Sequence, residues 1–127
     1  MAESNRILAH YDANRNLVRI SFAGEVSVAV AQEHEHEILA AIQAARPGFW
    51  LVTDLVGLTS MDAACAPIIA MMMDVARSRE IGRVLRIIPD PSKDIGFRIL
   101  SLFHYPRGLK IITCESVAEA EEILGVQ

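Results

Sequence analysis

The sequence predicts a single α/β domain built on a central, mostly parallel sheet. Its 127 residues suit one domain with one hydrophobic core, spanning 1–127. Segments of strand length alternate with segments of helical periodicity in the order β-β-α-β-α-β-α-β-α. Residues 49–55 form a nearly continuous apolar run, which is typical of a strand buried on both faces at the sheet centre. We therefore expect a mixed sheet of about five strands covered by about four helices, joined by right-handed crossovers.

The chain is predicted to begin with a hairpin at one side of this sheet. Residues 7–11 and 17–22 are short apolar segments, and the Asp and Asn residues between them favour a turn. Gly24 and Glu25 follow directly and are expected to end the second strand.

Two long helices are expected to cover the sheet. Ser27 can cap the first helix, which runs to about Ala45. The second is the segment 63–76, which is rich in Ala, Met and Ile and too long for a strand. Pro67 lacks an N–H and fits only the first helical turn, so this helix is expected to begin late or with a distorted turn.

The rest of the chain continues the alternation, with turns that contain Pro or Gly between the segments. The predicted elements are a strand at 83–88, a third helix at 92–104, a strand at 109–113, and a final helix that Ser116 caps and that ends near Leu124.

Charge and composition exclude several classes of function. The chain has 12 Lys and Arg against 16 Asp and Glu, and its net charge of -4 is opposite to the basic footprint of a nucleic-acid binder. The local cluster of cations is expected to be solvated near a helix end, where it complements the dipole: Arg77, Arg79, Arg83 and Arg86. Two cysteines, a polar start and the lack of any run near the ~18 apolar residues of a membrane span predict a cytoplasmic protein with no transmembrane segment.

One stretch of the sequence carries a resemblance to a known family. Residues 51–62, LVTDLVGLTSMD, combine a buried strand, an Asp, a short turn and a second Asp, and an apolar helix follows. Together with residues 22–25 and 116–120, this stretch resembles the STAS domain of bacterial anti-sigma factor antagonists. The resemblance covers nearly the whole chain. It implies a STAS-like domain that regulates by binding a protein partner.

The resemblance breaks at the regulatory position. In the family, the second Asp is followed by a phosphorylatable Ser or Thr and, within two residues, a Gly. Here those positions correspond to Ala63 and Cys65, and alanine has no hydroxyl to accept a phosphoryl group. The chain is also similar to STAS-like proteins, compared with the lipid-carrying SEC14 domains, that lack the phosphoserine. That similarity, over residues 94–98 and 103–105, implies a binding role.

The leading hypothesis is a non-catalytic interaction module that docks a protein partner beside Asp62. N–H groups at a helix start favour an anion or a partner's carboxylate, and loops at the carboxyl ends of strands commonly carry binding sites. The residues assigned to docking are Thr59, Ser60, Met61, Asp62, Ala63 and Cys65.

The alternative is a carrier or sensor of a small apolar or anionic ligand, such as a lipid. It would lie between the helices at 64–79 and 92–104, beside Met71, Met72 and Phe97. The three consecutive methionines at 71–73 either fill the core or line an adaptable surface. The partner, the ligand and the oligomeric state are left open.

Catalytic and metal sites are the weaker interpretations. Asp54 and Asp62 suit an acid and base pair, but both also suit capping and turn positions. Cys65 near a helix start suits a nucleophile, but a small buried thiol is the favoured interpretation. His34 and His36 are two residues apart and point to different sides of a helix, which does not suit a metal. We expect no enzyme activity, no cofactor and no metal.

Overall fold

The computed structural model describes residues 5–94, 96–97, 100 and 104–125. They form one five-stranded sheet with helices on both faces, in agreement with the predicted α/β class. The elements are β1 (Arg6–Asp12), β2 (Leu17–Val26), α1 (Val28–Ala44), β3 (Trp50–Met61), α2 (Ala66–Ser78), β4 (Arg83–Ile87), β5 (Lys110–Cys114) and α3 (Val117–Gly125), with 3-10 turns at Ala63–Cys65 and Pro91–Asp94. The described residues thus form three long helices rather than about four. Much of the helix predicted at 92–104 lies outside the described residues, although 96–97, 100 and 104 have helical backbone.

The strand order follows the chain, β1-β2-β3-β4-β5, so the predicted central position of β3 is confirmed. β1 and β2 pair in an antiparallel hairpin, and the other neighbours are parallel. Asn16 closes the hairpin with a φ of 51°. Its Oδ1 accepts hydrogen bonds from the Tyr11 hydroxyl at 2.8 Å and from the Arg46 amide at 2.9 Å. The hairpin is thereby tied to the segment that leads into β3.

β2 does not end at Gly24 and Glu25 as expected, but continues to Val26. Gly24 adopts a φ of 75°, which glycine accommodates without steric cost. The register between β2 and β3 shifts immediately after Gly24, so the strand bends rather than breaks. Ser27 then caps α1 as predicted, its Oγ accepting from the Val30 amide at 3.2 Å.

Two apolar clusters hold the layers together. The larger lies between the sheet and the pair α1 and α2, and it includes Ile42, Leu51 and Met73, which are fully buried. The smaller lies under α3 on the other face, where Ala120 and Leu124 meet β3, β4 and β5. Alternate residues of the strands therefore serve two separate cores, as the long apolar run of β3 predicts.

Arg86 differs from the expectation of a solvated cation. It lies in β4, on the same face as the core residues Val84 and Ile88, and it is 2% exposed. Its guanidinium lies 5.9 Å from the centre of the Phe97 ring. Burial raises the pKa of the neighbouring Tyr105, and the positive charge of Arg86 opposes that rise. The alternation of side chains along β4 places Arg86 on the buried face. Its position among other basic residues in the sequence therefore does not make it solvent-exposed.

Candidate functional site

The far part of β3 projects beyond the shorter strand next to it. β4 pairs only with Trp50–Asp54, whereas β2 stays paired with β3 up to Met61. The register of β2 and β3 shifts twice along this pairing, and such shifts bend and twist a strand. The short turn expected between Asp54 and Asp62 is therefore wrong, because residues 55–61 continue the strand. They reach the edge of the sheet at which its parallel strands end.

Asp54 explains the first register shift. Its Oδ1 accepts a hydrogen bond from the Val56 amide at 2.9 Å, which satisfies an N–H that the shift takes out of the ladder. Its Oδ2 accepts from Arg19 at 2.6 Å, on the sheet face that α3 covers, where Glu121 also lies 4.0 Å from Arg19. Asp54 therefore lies in the middle of β3, where it stabilises the strand. It is not at the strand end next to Asp62.

Asp62 shapes the turn between β3 and α2. Its amide donates to the Val26 carbonyl at 2.9 Å, which ties the turn to the end of β2. Its Oδ1 accepts from the Ala64 amide at 3.0 Å, and its carbonyl accepts from the Cys65 amide at 2.9 Å. The predicted capping role of Asp62 is thus seen in the geometry.

The start of α2 does not present the free amide groups that an anion site requires. The helix begins at Ala66 after the 3-10 turn, as the expectation of a late or distorted start from Pro67 requires. Asp62 takes the amides of Ala64 and Cys65, Ala66 donates to the Ala63 carbonyl, and Pro67 has no N–H. The amides of residues 64–66, which the sequence predicts to attract a partner's carboxylate, are therefore already bonded within the turn.

Cys65 points inward from this turn. It is 1% exposed, and its Sγ lies 3.7 Å from the Val26 carbonyl, to which it donates. Burial raises the pKa of the thiol, and the charge of Asp62 raises it further. The thiol is therefore protonated at neutral pH, which disfavours both a nucleophilic role and direct contact with a partner.

The other predicted docking residues lie together at the surface. Thr59, Ser60, Asp62 and Ala63 are exposed, and Met61 is half-buried. We call residues 59–63 the 59–63 surface. It consists of the free end of β3 and the turn that Asp62 caps, so a partner would meet extended backbone and short polar side chains.

A cavity of about 350 Å³ opens beside this surface, where β4 has ended. One wall is residues 58–63, the second is Ala66 and Ile69 of α2, and the third includes Phe97 and Leu100. The Phe97 ring packs edge-on against Phe22 with ring centres 5.7 Å apart, so this wall is anchored in the core. We call it the Phe97 cavity.

The cavity is not lined by the methionines that are assigned to a ligand cleft from the sequence. Met72 is 1% exposed and packs in the main core, and neither Met71 nor Met72 lines the cavity. Of the three residues assigned to a ligand cleft, only Phe97 does so. Ala66 and Ile69 take their place one turn earlier in α2. Their spacing of three residues puts them on one helix face. This spacing is the feature of the sequence that could have identified them as cavity-lining residues.

A second, shallower depression lies on the opposite side of residues 60–62. Its volume is about 340 Å³, and Glu25 and Ser27 contribute to it. The Glu25 amide donates to Asn5 Oδ1 at 3.0 Å. Ser60, Met61 and Asp62 line both depressions and thus form a ridge between them.

Two of the four histidines each contact one acidic side chain. His34 Nδ1 lies 2.9 Å from Glu37, and His104 Nδ1 lies 2.9 Å from Asp74 of α2. Over the part of the chain that the structure describes, no group of three or more His, Cys, Asp or Glu side chains is arranged to hold a metal ion.

None of the helices in the described ranges has the length and apolar character needed to cross a membrane. No protein-family model matches the sequence, and no curated protein matches it significantly. Solved structures do resemble the chain.

An uncharacterized protein of the DUF3478 family with a SpoIIAA-like fold, from Shewanella loihica, matches with a TM-score of 0.68 at 12% identity, covering 98% of both chains. The Bacillus cell fate determinant SpoIIAA in its phosphorylated form matches with a TM-score of 0.61 at 18% identity, covering 93% of this chain and 98% of the other. An anti-sigma-factor antagonist (STAS) domain protein from Planctomyces limnophilus matches with a TM-score of 0.63 at 15% identity, covering 94% and 98%. These likenesses span the hairpin, the sheet and the helices, and the chain has the SpoIIAA-like fold of STAS domains.

Proposed function

We propose that the chain is a non-catalytic regulatory module that docks a protein partner through the 59–63 surface. The observation that carries the proposal is the exposed end of β3, which projects past β4 and is held in place by the Asp62 turn. Proteins described as anti-sigma factor antagonists share this fold, which supports a role in protein-mediated regulation. The two cysteines are free thiols, in keeping with a reducing bacterial cytoplasm.

Docking at this surface is proposed to work without a phosphoserine switch. Ala63 occupies the position after the capping Asp62 and has no hydroxyl. Ser60 and Thr59 are the nearest exposed hydroxyl residues, but they belong to β3 and not to the helix start. Phosphopeptide mapping after incubation with bacterial kinases should find no efficient modification of Thr59 or Ser60. Efficient modification of Ser60 would show that a switch exists at another position.

The geometry supports a binding role over catalysis. Asp54 is engaged by Arg19 on the α3 side of the sheet, whereas Asp62 caps the turn ahead of α2. The two carboxylates therefore do not form the coupled pair that acid and base catalysis requires. Cys65 is buried with a raised pKa.

The docking proposal is tested by introducing a negative charge into the 59–63 surface. Ala63→Glu should weaken binding of a partner isolated by affinity pull-down by roughly tenfold, equivalent to about 1.4 kcal/mol. Ala118→Glu is the matched control, because Ala118 is an exposed alanine on α3, on the other face of the sheet. Circular dichroism and thermal melting should show that both variants fold. Unchanged affinity in a folded Ala63→Glu protein would place the docking surface elsewhere.

The Phe97 cavity favours a second candidate, a sensor or carrier of a small ligand. It lies between the start of α2 and the segment around Phe97, close to the place that the sequence suggested. Its volume is in the range of small-molecule sites, ~300–1,000 Å³.

A further inference from the structure

We infer that the Phe97 cavity binds a small amphiphile with an aliphatic body and an uncharged or cationic polar end. This inference rests on the second candidate function, a small-ligand site in the Phe97 cavity, and it is independent of the docking proposal because it needs no protein partner. It also narrows the sequence-based alternative, which left apolar and anionic ligands equally open.

The aliphatic body is indicated by the walls. Leu58, Ile69 and Phe97 line the cavity and are only 6%, 3% and 4% exposed, so their positions are fixed by packing in the core. Leu100 adds a further apolar side chain. A cavity of about 350 Å³ with such walls offers preformed apolar surface, which favours a hydrocarbon segment over water.

The polar end is indicated by the solvent side of the same cavity. Thr59, Ser60 and Asp62 line it there, and all three are exposed. The hydroxyls both donate and accept hydrogen bonds. Asp62 Oδ1 is used by the Ala64 amide, which leaves Oδ2 outside that cap. An alcohol, amide or ammonium group can therefore donate to this rim.

The charge of the rim argues against an anionic head group. Asp62 is the one charged side chain among the described residues that line the cavity. The amides of Ala64 and Cys65 donate to Asp62, and the Ala66 amide donates to the Ala63 carbonyl, so these three do not attract an anion. A carboxylate or phosphate beside Asp62 would meet a like charge without compensating donors from these amides.

The test compares three eight-carbon probes that differ in head group: 1-octanol, octylamine and octanoate. The first two should raise the melting temperature of the full chain by about 4 °C at a tenfold excess over their dissociation constants. Octanoate should bind at least fivefold more weakly. Backbone amide NMR should show saturable shifts at Ser60, Ala63 and Gly96, while the indole signal of Trp50, on the α3 face, stays in place.

A pair of variants separates the cavity from non-specific binding. Ala66→Phe fills the cavity from an exposed position of its wall and should abolish the shifts, whereas Ala118→Phe on α3 should leave them intact. The NMR map of the unaltered chain decides the matter even where a variant folds poorly. The inference is overturned if no probe saturates, if the shifts lie outside the cavity, or if octanoate binds most tightly. None of these results affects the docking proposal, which the Ala63→Glu comparison tests separately.

Discussion

The carboxylate of Asp62 accepts a hydrogen bond from the backbone amide of Ala64 at 3.0 Å. This one contact decides what the surrounding surface can recognise. A helix start with open amides attracts anions, but here a carboxylate of the chain already occupies that place. The surface is left with an acidic side chain and polar hydroxyls, and with an apolar cavity beside them.

Removal of the Asp62 carboxylate should loosen this turn. Asp62→Ala is expected to lower the free energy of unfolding by about 1 kcal/mol, because the Ala64 amide loses its acceptor. Asp62→Asn keeps an oxygen in the same place and should stay within a few tenths of a kcal/mol of the unaltered chain. Urea unfolding of the three proteins measures both values. Equal losses in the two variants would show that charge, and not capping, is what the turn requires.

The ion pair between Arg19 and Asp54 should contribute more to the free energy of unfolding than the exposed ion pair between Arg15 and Glu121. Asp54→Ala is expected to cost about 2 kcal/mol or more, because both Arg19 and the Val56 amide lose an acceptor in a half-buried place. Glu121→Ala is the control, since that side chain is 48% exposed and pairs with Arg15 at 3.2 Å. Its cost should stay below about 0.5 kcal/mol. Similar midpoints for the two variants in urea would contradict this ranking.

The thiols should be unreactive in the folded chain. Burial raises the pKa of Cys65 and of Cys114, so the thiolate fraction at neutral pH is smaller than in an exposed cysteine. A disulfide reagent at neutral pH should therefore react slowly with the native protein and rapidly in denaturant. Reaction in the folded state should accelerate only as the pH rises above the ordinary thiol range. Rapid reaction of Cys65 with the reagent in the folded protein would contradict this prediction and would support a nucleophilic role for Cys65.

The order of the elements could be predicted from the sequence because periodicity and capping residues are local signals. Ser27 and Ser116 both accept hydrogen bonds at the helix starts where the sequence placed them. The late start of α2 likewise follows from Pro67 alone.

The site itself was predicted only in outline, because it depends on contacts between distant parts of the chain. The register shifts that carry β3 past Asp54 depend on its pairing with β2, so the sequence of β3 alone does not predict them, although Asp54 bonds the Val56 amide at the first shift. The buried Arg86 lies beside Phe97 and Tyr105, which are 11 and 19 residues further along the chain. The local pattern at Gly24 predicts a strand break, because such a pattern does not distinguish a break from a bend.

Hydrogen–deuterium exchange of the partner complex tests the central claim most directly. With the partner isolated by pull-down, exchange should slow in the peptide that contains the 59–63 surface and stay unchanged in the peptide that contains α3. This pattern follows if the partner covers the free end of β3 and the Asp62 turn. Protection confined to α3 or to the hairpin, with residues 59–63 exchanging as in the free chain, would contradict the proposed docking surface.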